Sequence, residues 1–164
     1  MYNNPNCPVI FDERLKGKKS LYVDVPGEPF AKQRPRAARS GGFITIYTPR
    51  ETKEYEKKVR RYYYQIYNTN HILDGSLTVE VEGIFPVPKS ATKIKSKEML
   101  EGIIHHTKKP DCDNMAKVCL DALNGVAYYD DAQIDVLNIS KKYGEDPKCS
   151  ITIIQNWNKR RFDI

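Results

Sequence analysis

Three signals lie close together past the middle of the chain: Asp111-Cys-Asp113, Asp113 with Lys117 four residues on, and the pair Asp130-Asp131, with Asp121 and Asp135 peripheral to them. From Asp111 to Asp135 there are six Asp and a single Lys, Lys117, in a chain whose net charge is +6. Carboxylates gathered in this way repel one another unless a cation lies between them, and oxygen donors of this kind suit a hard divalent ion. Each signal alone also has an ordinary use. Asp-x-Asp commonly caps a helix, Asp-Asp commonly makes a turn, and Asp113 with Lys117 can be a surface pair worth roughly 0.2–0.5 kcal/mol. Together, within about twenty residues, they are a candidate metal site.

The element that must position them is a helix. From Asp111 to Leu123 the apolar residues Met115, Val118, Cys119, Ala122 and Leu123 form one stripe, with Asp113, Lys117, Asp121 and Asn124 opposite. Asp111 follows Pro110 at the helix mouth, where the dipole favours a carboxylate, and Asn124-Gly125 is a stop signal. Asp130 and Asp131 then sit at the entrance to a strand. Adjacent extended residues point opposite ways, so one of the two faces the site, and geometry alone does not choose which.

Positive charge gathers elsewhere. From Lys32 to Arg61 there are ten Lys or Arg against three Glu. Lys32, Arg34, Arg36 and Arg39 fall in a stretch from Glu28 to Gly42 that reads as a loop. Lys53, Lys57 and Arg61 fall, with Arg60 and Tyr64, on one face of a helix running from Pro49 to about Tyr67. The opposite face carries Tyr55, Val59, Tyr62, Tyr63 and Ile66. Thr48, Pro49 and Glu51 read as N-cap, first helical residue and capping-box partner. Basic surface in one region and carboxylates in another is the division that a metal-dependent enzyme acting on a phosphodiester needs.

Extended segments are expected at Leu21–Val25, Phe43–Tyr47, Leu77–Glu82, Ile134–Tyr143 and Cys149–Ile154, with Gly144–Pro147 as the turn between the last two. Lys89–Leu100 reads as a short basic helix capped by Ser90 or Ser96. The fold class is α+β: a mixed or largely antiparallel sheet of about four or five strands with two main helices packed on it. In the last long strand Ile134 and Val136 oppose Leu137 and Ile139, which requires either a bulge or burial on both faces. The 164 residues suit one domain, 20–156, with an extension over 1–19 and a basic tail over 157–164. The four cysteines show no zinc or disulfide spacing, and His105 and His106 read as exposed loop residues. With no apolar run of roughly 18 residues and no signal-peptide core, a cytosolic protein without a membrane segment is expected.

The motif Lys109-Pro-Asp-x-Asp-Asn-Met-x-Lys117, then Leu120-Asp-Ala-Leu-Asn-Gly125, then Asp130-Asp-x-Gln-Ile134 resembles the RusA family of Holliday junction resolvases. The earlier Pro26-Gly-Glu-Pro-Phe-x-Lys-Gln-Arg-Pro-Arg36 is similar to the N-terminal part of RusA-like proteins, and the resemblance covers roughly Leu21 to Ile154. It implies a small homodimeric endodeoxyribonuclease, encoded by a bacterium or phage, that cuts four-way DNA junctions with Mg²⁺, Mn²⁺ being able to substitute. Carried over to this chain, the essential carboxylates are Asp111, Asp113 and Asp131, and Lys117 is the accompanying basic residue. Met115 stands where Leu is more usual, a matter of packing. Two other classes fit the residues less completely: a branched-DNA-binding protein without catalysis, and a hydrolase of small phosphate esters, for which so much basic surface has no use.

Overall fold

A computed structural model describes residues 18–156 apart from Gly41 and His71. Most of the expected N-terminal extension and all of the basic tail with Trp157, Lys159, Arg160 and Arg161 lie outside the described residues. The elements run β1 (Ser20–Pro26), β2 (Arg36–Ser40), β3 (Phe43–Tyr47), α1 (Arg50–Tyr67), β4 (Leu77–Pro86), α2 (Lys93–Leu100), α3 (Cys112–Leu123), β5 (Ile134–Gly144) and β6 (Lys148–Gln155).

The main sheet has the order β1-β6-β4-β5. β6 pairs antiparallel with both β1 and β4, while β5 pairs parallel with β4. Alternation decides which face is covered. Leu21, Val23 and Val25 of β1, Leu77, Val79 and Val81 of β4, and Cys149, Ile151 and Ile153 of β6 are buried. They share one core with Tyr55, Val59 and Tyr63 of α1 and with Met115, Val118, Cys119, Ala122 and Leu123 of α3. The mixed α+β sheet and the two apolar helix stripes therefore stand as the sequence reads. The Cys119 and Cys149 sulfurs lie 3.6 Å apart as thiols in hydrogen-bond contact.

Several local expectations are corrected. Arg36–Ser40 is a strand, not loop, and pairs with β3 as a separate two-stranded ribbon. α1 begins at Arg50, with Pro49 in the cap position and no side-chain cap bond, so the Thr48–Glu51 capping box does not form. α2 is capped by Thr92, whose hydroxyl accepts from the Lys95 amide, rather than by Ser90 or Ser96. His106 is buried, stacked on Phe85 at 4.0 Å between ring centroids, and only His105 is exposed.

β5 and β6 do not form a hairpin. Their link, residues 145–147, steps over the end of β4, because β4 lies between the two strands. Gly144 makes the step possible: a Cβ there would stand 2.5 Å from Ile84 Cγ2. The mismatch in β5 is a bulge, with Leu77 opposite Ile134 but Thr78 opposite Val136, leaving Asp135 outside the ladder. Val136 and Leu137 remain exposed on this edge strand.

Candidate active site

Asp111 is the N-cap residue of α3. Its backbone carbonyl accepts from the Met115 amide at 3.0 Å, but its side chain makes no capping bond. Asp113 follows in the first helical turn and Lys117 one turn later, all three exposed. None of the three side chains has a hydrogen bond or ion pair among the described residues. Two anchors hold the segment that carries Asp111. Met115 is wholly buried beneath the first turn, and Lys141 of β5 donates from Nζ to the carbonyls of Lys108 and Pro110, each at 2.8 Å.

The segment between β1 and β2 is docked against this helix end. The Lys32 amide donates to the Asn114 carbonyl at 2.9 Å, the Gln33 amide to Thr52 Oγ1 at 3.2 Å, and Phe30 stacks on Tyr55 with centroids 5.3 Å apart. Residues of both segments line a cleft of about 540 Å³, with Gln33, Lys109, Asp111 and Asn114 in its wall. Gln33 Oε1 is buried with no hydrogen-bond partner among the described residues. Lys141 and Gln33 carry no spacing signal relative to the acidic motif, so sequence reasoning misses both. Only the strand register and the loop docking bring them to Asp111.

The two carboxylates of the Asp-Asp pair differ in employment. Asp130 caps a single 3₁₀ turn, Asp131–Gln133, its Oδ1 accepting from the Ala132 amide at 2.9 Å. Gln133 answers through Oε1, which accepts from the Tyr129 and Asp130 amides at 2.7 and 3.1 Å. The Asp131 side chain has no hydrogen bond or ion pair among the described residues, although its backbone carbonyl accepts from the Ile134 amide. Its charge reaches Tyr128, whose hydroxyl donates to the Leu120 carbonyl at 2.7 Å. Burial, then Asp131, raises that phenol's pKa.

Asp131 does not join Asp111 and Asp113 within one chain. Among the described residues no three acidic, histidine or cysteine side chains come together in a group able to hold a metal ion. Lys141 marks the Asp111 end of β5, whereas Asp131 precedes its start at Ile134, a strand separation of about 23 Å. The donor chemistry at the α3 mouth nevertheless suits a hard divalent cation: two unpaired carboxylates at a helix N-terminus. Mg²⁺ commonly takes only one or two protein carboxylates and keeps several waters.

Of the cations singled out in the sequence, Lys32 is turned to Asp121 in an ion pair. Arg34, Arg36 and Arg39 are exposed, as are Lys53, Lys57 and Arg61 along α1. Arg60 instead caps α3, its Nε donating to the Ala122 carbonyl at 2.7 Å.

Residues 26–154 match the family described as "Endodeoxyribonuclease RusA". The chain is also 34% identical over 131 residues to "Uncharacterized protein YqaN" of Bacillus subtilis (strain 168), covering 79% of this chain and 92% of that protein.

Proposed function

Because this chain belongs to the RusA endodeoxyribonuclease family, we propose that it is a structure-selective nuclease that resolves four-way DNA junctions by Mg²⁺-dependent phosphodiester hydrolysis, with Mn²⁺ able to substitute. The observation that carries the reading is the pair of unengaged carboxylates, Asp111 and Asp113, at the mouth of α3, with the arginine-bearing segment docked on the same helical turn. Those two residues hold the divalent ion. When bound, it supplies Lewis acidity toward the phosphodiester and acidifies a water.

The remaining work belongs to the chain. Lys117, one turn beyond Asp113, sets an ammonium where negative charge grows on the phosphoryl or leaving oxygen. Arg34, Arg36 and Arg39 grip phosphates as guanidinium forks, and Lys53, Lys57 and Arg61 extend the backbone track. These contacts position DNA without reading its bases. The enzyme acts as a homodimer, and Asp131 enters the site from the second chain, since it stands apart from Asp111 and Asp113 of its own. The exposed Val136 and Leu137 on the edge strand offer that second chain an apolar surface. Two sites in one dimer suit two cuts across a branch, in recombination, fork repair or phage DNA processing in the cytoplasm.

The test is incubation of the chain with a labelled synthetic four-way junction, the matched linear duplex and a nucleotide pool, in Mg²⁺ and in EDTA. Junction cutting in Mg²⁺ alone is expected, and Asp113→Asn should abolish it while keeping junction affinity. A junction bound but left intact in Mg²⁺ points to a binding protein. Hydrolysis confined to nucleotides points to a small-substrate enzyme.

A further inference from the structure

The ribbon β2–β3 is an unusual object for a protein surface. Its strands pair with each other through all five positions, from Arg36 opposite Tyr47 to Ser40 opposite Phe43, and among the described residues share no substantial packing with the main sheet or the helices. A two-stranded ribbon alone in water is marginal, and its apolar groups are normally covered by a third layer. Here Phe43 is 80% exposed, Ile46 73%, Ile44 70% and Tyr47 42%.

The pleat places these residues on both faces. Phe43, Thr45 and Tyr47 point one way with Arg36 and Ala38 across from them, and Ile44 and Ile46 point the other way with Ala37 and Arg39. A ribbon that lies on a protein surface covers one face. One that carries apolar side chains on both faces and at its tip is suited to entering an opening. At five residues per strand the arm reaches about 17 Å.

Charge selects the occupant. Between Glu28 and Glu51 there is no carboxylate, while Lys32, Arg34, Arg36, Arg39 and Arg50 are all cationic. Lys32 is neutralised by Asp121 and Arg50 by Glu54, which leaves Arg34, Arg36 and Arg39 for an outside anion. An apolar tip flanked by guanidinium groups fits a polyanion with unstacked or unstackable bases. We infer that the β2–β3 ribbon is a wedge that enters the open centre of branched DNA, with Phe43 stacking on a base at the branch point while Arg36 and Arg39 hold the flanking phosphates. This rests on the functional reading above and adds to it the source of selectivity for a branch over a duplex. A duplex offers the same phosphates but no opening, and apolar side chains in DNA-binding proteins act by separating base steps.

The experiment uses the full chain in EDTA, so that no cutting occurs, with a four-way junction carrying 2-aminopurine beside the branch point. Wild-type protein should raise the fluorescence on binding, as the base unstacks. Phe43→Ala should abolish that rise and weaken junction binding about 5- to 100-fold, with linear-duplex binding unchanged. Phe43→Trp should restore both. Arg36→Gln with Arg39→Gln should weaken junction and duplex alike and flatten the salt dependence. Phe43 lies outside the core, so thermal unfolding of Phe43→Ala should match the wild type. A Phe43→Ala protein that keeps the fluorescence rise and its junction preference overturns the wedge while leaving the nuclease reading intact. Loss of the dimer in sedimentation on Phe43→Ala also overturns it, assigning the ribbon to a second copy of the chain. Wild-type protein that binds no branched DNA removes the functional reading and the wedge together.

Discussion

Gly83, in β4, is the position where a single methyl group should reach the candidate active site. It lies beneath the first turn of α3: a Cβ at this position would stand 2.6 Å from Met115 Sδ, 2.9 Å from Phe85 Cε2 and 3.2 Å from Met115 Cε. Ordinary contacts need roughly 3.5–4.0 Å, so Gly83→Ala is short by about 1 Å against the methionine sulfur. Met115 is a pliable side chain, but it is wholly buried and Phe85 closes the other side. Part of the strain is therefore taken by α3, and Asp111 and Asp113 lie on its first turn. Overpacking of this kind costs about 1–3 kcal/mol. A shift approaching 1 Å at a reacting group can cost on the order of 100-fold in rate. Denaturant unfolding of Gly83→Ala should show that loss of stability. Single-turnover cleavage of a four-way junction should fall roughly 10- to 100-fold, with junction affinity unchanged because the arginine ribbon is untouched. Adding Met115→Ala should return part of the cleavage rate by making room for the methyl group. A Gly83→Ala protein with wild-type stability and wild-type cleavage would show that the helix end is not set by this contact.

Two further substitutions separate capping from chemistry, and one tests a buried ring. Asp130→Ala should cost about 1 kcal/mol of stability, read by thermal or chemical unfolding, through loss of the cap on the Ala132 amide, with cleavage largely retained. Asp131→Asn should do the opposite, leaving stability alone and losing junction cleavage; an active Asp131→Asn removes that residue from the site. His106 is held neutral because burial, assisted by the nearby Lys141, lowers its pKa below the ordinary 6.5. The unfolded chain then binds the extra proton first, so this contribution to stability is complete above pH 6.5 and is lost as pH falls toward the folded-state value. His106→Phe, which keeps the stack on Phe85, should flatten stability over that interval. Identical pH profiles for variant and wild type would count against a buried neutral imidazole.

Periodicity was enough for the elements that carry their own core stripe. Tyr55, Val59 and Tyr63 mark α1, Met115 to Leu123 mark α3, and the alternation of Leu77, Val79 and Val81 marks β4, because a side chain's face follows from its number once the element type is known. The placing of Asp113 and Lys117 on the exposed side of α3, opposite the apolar stripe, was legible for the same reason. The arginine segment misled: Arg36-Ala-Ala-Arg39 lacks apolar alternation, and it is a strand only because Phe43–Tyr47 folds back to pair with it. His106 misled because its burial comes from Phe85 and Tyr143 on distant strands, not from its neighbours in sequence.

Residue types and spacing by themselves determined that this protein gathers hard oxygen donors at a helix mouth and cations elsewhere, since charge and helical period are local properties. Tertiary structure alone decided how those groups are employed. The capped 3₁₀ turn occupies Asp130 and leaves Asp131 unengaged, the ion pair withdraws Lys32, and Lys141 reaches across from β5 to fix the approach to Asp111. The separation of Asp131 from Asp111 and Asp113 is likewise a property of the strand path. A carboxylate's identity is written in the chain, but its freedom to bind depends on hydrogen-bond partners brought from far away along it.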